Sequence, residues 1–230
     1  MKDVLVHILR RKREYSRLPL FERMRDDRIP ARNRLSFFPQ LGFFIMCFGD
    51  LNRYILRDEK NTEPLQQVLN AHTHEDDHHW PWYLEDMEAL GWNAQTTMTN
   101  AMRHLWGEES HRARLLMYDL CATLARATGH ERLAVVEAIE ETGNVMFTLT
   151  AQLADAVRME SGEELKYLGS FHTDLESGHM QNSDHQQLMR IPLDADQRQR
   201  CIALVDEVFD TFAAWTQEGL RNMKVEVDFV

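Results

Sequence analysis

The spacing of apolar side chains constrains this chain more than any other feature. Nearly every stretch repeats at a helical period, and no alternating pattern lasts long enough to build a sheet. An amphipathic helix is expected over Asp3–Tyr15, followed by a stretch punctuated by Pro19 and Pro30. A long apolar helix over Phe38–Arg57 carries Pro39 in its first turn and is broken by Asp58–Thr62. The next helix starts near Pro64, a favoured first-turn residue, and reads on through His79 to Leu90, where Gly91 supplies a stop. Pro81 should kink that helix or split it in two. Further helices are expected over Asn93–Trp106, Glu109–Thr128, Glu131–Met159, Glu163–Met180 and Asp194–Asn222. Ser161 with Glu164 makes a capping-box signature before the penultimate one, and Lys224–Val230 is compatible with extended chain. The expectation is one all-α domain over residues 1–230, a bundle of about seven helices around a central cavity.

Composition narrows the function classes. A chain of 230 residues with 43% hydrophobic and 27% charged residues can bury a sizeable core as one domain. Its net charge of −11 argues against nucleic acid, because phosphate contacts need clustered Lys and Arg. The local run Arg10, Arg11, Lys12 and Arg13 reads as a solvated helix face rather than a membrane or RNA patch. No segment has the pattern of a signal peptide, and the longest apolar run, around Leu41–Phe48, falls far short of the ~20 residues that span a bilayer. No membrane association is therefore expected, and a homodimer is compatible with the sequence. Cys47, Cys121 and Cys201 are widely separated and form no CxxC pair, so neither a disulfide framework nor a thiolate zinc site is suggested. Buried inert thiols in a reducing cytoplasm fit this pattern.

Chemistry concentrates in three segments. His172, Glu176 and His179 fall within an arc of roughly 60° on one helix face, and two imidazoles with a carboxylate suit iron. The plain alternative is a polar face that carries two histidines by chance. The second segment, His72 to Asp86, holds four histidines and three acids in its first eight positions. Glu75 and His79 lie one turn apart, with His72 and Asp86 near the same face if the helix runs straight; His78 points elsewhere. Trp80, Trp82 and Tyr83 read as packing residues. In the third segment Glu140 continues the stripe of Val136, Gly143 and Phe147, so it should face inward, where a lone acid is costly unless paired or metal-bound. Glu137 and Glu141 are expected to be solvated, with Glu137 as the fallback. The candidate metal ligands are thus Glu75, His79, Glu140, His172, Glu176 and His179.

These motifs resemble those of the heme-oxygenase-like diiron oxidases and oxygenases, the iron-containing redox enzymes of the TenA/heme-oxygenase-like fold. The resemblance rests on His172-x3-Glu176-x2-His179, on Glu140 in an Ala-Ile-Glu-Glu-Thr-Gly context about 30 residues upstream, and on the acid-plus-His segment Glu75–Trp80. It spans about Leu35 to Met180. The spacing of acid and His in the early helix varies among such proteins, so Glu75 with His79, Glu75 with His78, or His79 with Asp86 are each open as the pair. The resemblance implies a seven-helix fold, two Fe(2+) per chain, dioxygen as co-substrate, and oxidation of a small molecule such as an amino acid, amine or fatty acid. A substrate would lie between the metals and an aromatic wall, for which Phe37, Phe38, Phe43, Phe44 and Phe48 are candidates if they are not plain core. The alternative is a catalytically inactive or thiaminase-like helical protein acting as a binding module. A thiaminase-like nucleophile would be Cys121, which has no recognisable partner in sequence, and a heme ligand would be His7, without the Gly-rich helix that heme oxygenases carry.

Overall fold

The computed structural model describes residues 1–173 and 188–224, and no strand occurs among them. Helix α1 covers Lys2–Tyr15, α2 Pro19–Met24 and α3 Ala31–Arg34. A 3₁₀ turn at Phe38–Leu41 leads into α4, Gly42–Asp50, which continues as a π-helical turn over Leu51–Leu56. Then come α5, Pro64–Asp76, α6, Trp80–Ala89, and α7, Met98–Trp106. After a 3₁₀ turn at Glu108–Ser110 follow α8, His111–Arg126, α9, Gly129–Ser161, and α10, Ala195–Asn222.

Helices α9 and α10 form the spine, with α1 packed on both and α8 on α10; α4 lies on α8, and α5 reaches α9. The start of α9 is set by a capping box, Thr128 and Glu131 satisfying each other's orphan amides. Its end is set by Gly162 at φ 81°, a left-handed cap that glycine adopts without a Cβ clash. Between them 33 residues span about 50 Å, long enough to serve several partners at once. Val135, Val136, Ala138 and Ile139 are accordingly buried on successive positions rather than on one stripe.

Two of the four cations of the basic run on α1 are paired with acids from neighbouring helices. Arg11 pairs with Asp206 and Asp210 on α10, Lys12 with Glu141 on α9, and Arg10 lies against His7. Such pairs add little to stability when exposed, but they set the register of α1 on its neighbours. Among the described residues no helix is long and apolar enough to cross a membrane.

Three boundaries depart from the sequence reading. The segment expected as a helix from Asn93 is irregular until Thr97, whose hydroxyl accepts from the Asn100 amide and starts α7. The Phe38–Arg57 helix is helical throughout but changes type twice. The helix expected from Glu163 is a loop over residues 162–169 and turns helical only from Ser170. Ser161 does not cap it; its hydroxyl donates back to the Val157 carbonyl (2.9 Å) in the last turn of α9. The expected extension to Met180, and the extended tail beyond Lys224, lie outside the described residues.

Candidate metal centre

The site begins with a break that proline chemistry imposes. Pro81 has no N–H to give the Asp77 carbonyl four residues back, and its ring crowds that carbonyl, so one continuous helix is not available. The chain ends α5 at Asp76 and restarts at Trp80. Arg57 secures the break: its guanidinium donates to the Thr73 carbonyl (2.7 Å) and to the Asp77 carboxylate (2.7 Å). Helix α4 closes over it at Gly49, where a Cβ would stand 2.8 Å from the Asp77 carbonyl oxygen. Only glycine allows that approach without displacement.

The packing of α5 against α9 decides which acid faces inward. Glu75 is half-buried, whereas Asp76 is buried, one turn from His72 on the same face of α5. His72 Nε2 lies 3.1 Å from Asp76 Oδ2 and 3.3 Å from Glu140 Oε1, so it donates between two carboxylates. Among the described residues His72, Asp76 and Glu140 form a group whose ligand atoms all lie within 4.8 Å of one another. Glu140 thus faces inward from α9, as its apolar stripe predicts. Burial by itself would lower the basicity of His72, but Asp76 and Glu140 together outweigh it and hold the imidazolium well above its ordinary range. Burial would likewise raise Asp76, yet His72, with His79 and His172 farther off, keeps its carboxyl below the usual range.

His79 and His172 meet beside this group, both buried. His172 Nδ1 donates to the Tyr167 carbonyl (2.9 Å), which turns Nε2 toward His79 Nδ1 at 3.1 Å. His79 stacks on Trp82 (4.6 Å between centroids, 18° between planes), and Phe147 meets the His172 ring edge-on at 4.3 Å. Trp82 therefore borders the histidine pair, while Tyr83 packs in the core and donates to the Phe38 carbonyl (3.1 Å).

The loop that carries His172 is held by Asp86. Its carboxylate is 1% exposed and accepts from the amides of Lys166 (2.6 Å) and Leu168 (2.8 Å), on either side of the Tyr167 carbonyl that orients His172. Burial pushes the Asp86 carboxyl up to about 6, against the opposing pull of these amides. Asp86 thus anchors backbone within this structure.

Of the six ligands expected from sequence, the structure brings Glu140 to His72 and Asp76, and His79 to His172. It places Glu75 half-buried at the end of α5, and Glu176 and His179 lie outside the described residues. Sequence reasoning passed over Asp76, although its i,i+4 spacing from His72 was there to read. Glu137, expected to be solvated, is buried, because α9 is enclosed on more than one side; Glu141 is occupied by Lys12. His78 is exposed, as expected, and His74 pairs with Glu59 at the surface (2.7 Å).

A pocket of about 80 Å³ opens on the group, lined by Asp76, His79, Glu140 and His172 together with Phe44, Phe48, Phe147 and Phe212. Of the phenylalanines proposed as a wall, Phe44 and Phe48 line this pocket, Phe37 and Phe38 are buried in the core, and Phe43 packs edge-on against Trp106 and Tyr118. The donor set fits a divalent first-row metal: one imidazole and two carboxylates converge, and two further imidazoles stand beside them, enclosed by apolar rings. No protein-family model matches this sequence, and no curated protein matches it either.

The two other chemistries raised by the sequence find no support in local geometry. Burial pushes the Cys121 thiol up, the reverse of an activated nucleophile, and its sulfur lies against Met117 (3.9 Å). His7 is bound to Asp206 (2.7 Å) where α1 meets α10, on neither side of the pocket.

Proposed function

We propose that this chain is a non-heme diiron oxidase or oxygenase of the heme-oxygenase-like fold, acting on a small organic substrate with dioxygen. One observation carries the reading: α5 and α9, two separate helices, deliver His72, Asp76 and Glu140 to one point. A half-buried imidazolium between two carboxylates is an arrangement in which a proton holds the place of a metal cation. His172 and His79 extend the donor set, and Glu176 and His179 would complete it for a second iron.

Iron bound there would supply the reduction of dioxygen. The residues supply the rest. His72 must surrender its proton to become a ligand, and Asp76 and Glu140 then offer their charge to the metal instead. The Tyr167 carbonyl keeps the His172 proton on Nδ1 and so leaves Nε2 as the donor atom. Phe44, Phe48, Phe147 and Phe212 give the pocket its apolar lining for a substrate.

The test is anaerobic titration of the metal-free protein with ferrous iron, followed by admission of oxygen. The expected result is binding near two equivalents with an oxygen-dependent absorption change, reduced to one equivalent or fewer in His72→Ala and His172→Ala. A protein that takes up no iron, or takes it up unchanged in both variants, would be a helical binding module instead.

A further inference from the structure

The pocket does not end at the histidine–carboxylate group. It continues into a second lobe of about 60 Å³, and the two share Phe44, Gly143, Phe147 and Phe212 as lining. Gly143 sits where the lobes join; a Cβ there would meet only the Phe147 ring, at 3.7 Å. Together the lobes approach the size of an apolar cavity of about 150 Å³ that can hold a benzene-sized molecule.

The second lobe is walled by Phe38, Leu41, Leu116, Met146 and Trp215, and no charged side chain lines it. The Thr142 hydroxyl is spent on the Ile139 carbonyl (2.7 Å). Tyr15 is different. It lines the lobe, it is 4% exposed, and its hydroxyl has no hydrogen-bond partner among the described residues. Its ring is held edge-on by Phe21 (4.8 Å) and Phe209 (6.0 Å). Burial alone raises its pKa, and it stays a neutral donor. A hydroxyl with no protein partner at a cavity wall is available to donate to a ligand placed there.

We propose that the two joined lobes form a binding slot for a small neutral molecule with an apolar, ring-sized body and one hydrogen-bond-accepting oxygen, gripped by the Tyr15 hydroxyl in the second lobe. A carbonyl or ether oxygen qualifies. An anion does not, because the lobe holds no cation to offset its desolvation. That the opposite end of the ligand reaches the reacting position rests on the metal reading above; the slot itself does not.

The experiment compares acetophenone, ethylbenzene and benzoate by calorimetry on the metal-free protein. Acetophenone should bind about fivefold tighter than ethylbenzene, the worth of one neutral hydrogen bond, and benzoate should not bind. In Tyr15→Phe the two neutral probes should become equal through weaker acetophenone binding, with the melting temperature unchanged or raised. Gly143→Leu should abolish both by filling the junction. No binding of either neutral probe to the wild type, benzoate binding as tightly as acetophenone, or a preference that survives in Tyr15→Phe would each overturn the slot. Ferrous iron uptake, measured in parallel on wild type and Tyr15→Phe, reports on the metal reading separately: iron uptake without probe binding removes only the slot, and probe binding without iron uptake removes only the metal.

Discussion

Replacing Asp86 by Ala should loosen the loop that presents His172, and its cost should depend on pH in a direction the structure dictates. The substitution strands the amides of Lys166 and Leu168, which the carboxylate now satisfies at 2.6 and 2.8 Å in a site 1% exposed. Two charge-assisted bonds, less the relief of a buried charge, put the loss at about 2–4 kcal/mol at pH 7. The folded carboxyl titrates at about 6, against 3.8 for its ordinary value. Between those two values the unfolded chain is ionised while the folded one keeps its proton. Folding therefore binds a proton there, and stability falls as pH rises through this window. Relative to Asp86→Ala, the wild type should gain up to about 3 kcal/mol as pH drops from 7 toward 4, because a shift of one unit is worth ~1.4 kcal/mol. Groups common to both proteins cancel in the difference. Urea unfolding of the two proteins at half-unit steps between pH 4.5 and 7 measures it. A cost below about 1 kcal/mol throughout, or one that shrinks on acidification, would show that Asp86 neither anchors this loop nor carries a raised pKa.

Two further outcomes test the centre and the break beside it. Metal binding should release at least one proton and weaken from pH 8 to pH 6, because His72, held protonated by Asp76 and Glu140, must give up its proton first; calorimetry in two buffers of different ionisation enthalpy counts it, and zero release would contradict the arrangement. Gly49→Ala should destabilise by roughly 1–3 kcal/mol although Ala is the better helix former, because its Cβ meets the Asp77 carbonyl at 2.8 Å; thermal melts decide, and a raised melting temperature would mean that α4 is free to move away.

Much of the fold was legible because helix formation is encoded locally. The period of apolar residues, Pro64 at a helix start, Pro81 as a break and Gly91 just past the end of α6 all act within one or two turns. Where the reading slipped, the deciding partner was distant in sequence. Ser161 and Glu164 carry a capping signature, but Asp86, some eighty residues away, takes the amides of the following loop and holds it out of a helix. Glu137 and Glu140 look alike along α9. One is buried and the other faces His72 only because α5 crosses there.

By itself, then, the sequence determined an all-helical chain and the segments richest in metal-binding chemistry, since composition and a period of 3.6 residues are properties of short stretches. Tertiary structure decided which acid of Glu75, Asp76 and Asp77 points inward. That choice turns on which face of α5 is packed toward Glu140 of α9, since neighbouring positions on a helix point about 100° apart. It also decided that Tyr15 lines a cavity rather than a surface, because only the packing of α1 against α9 and α10 places it there.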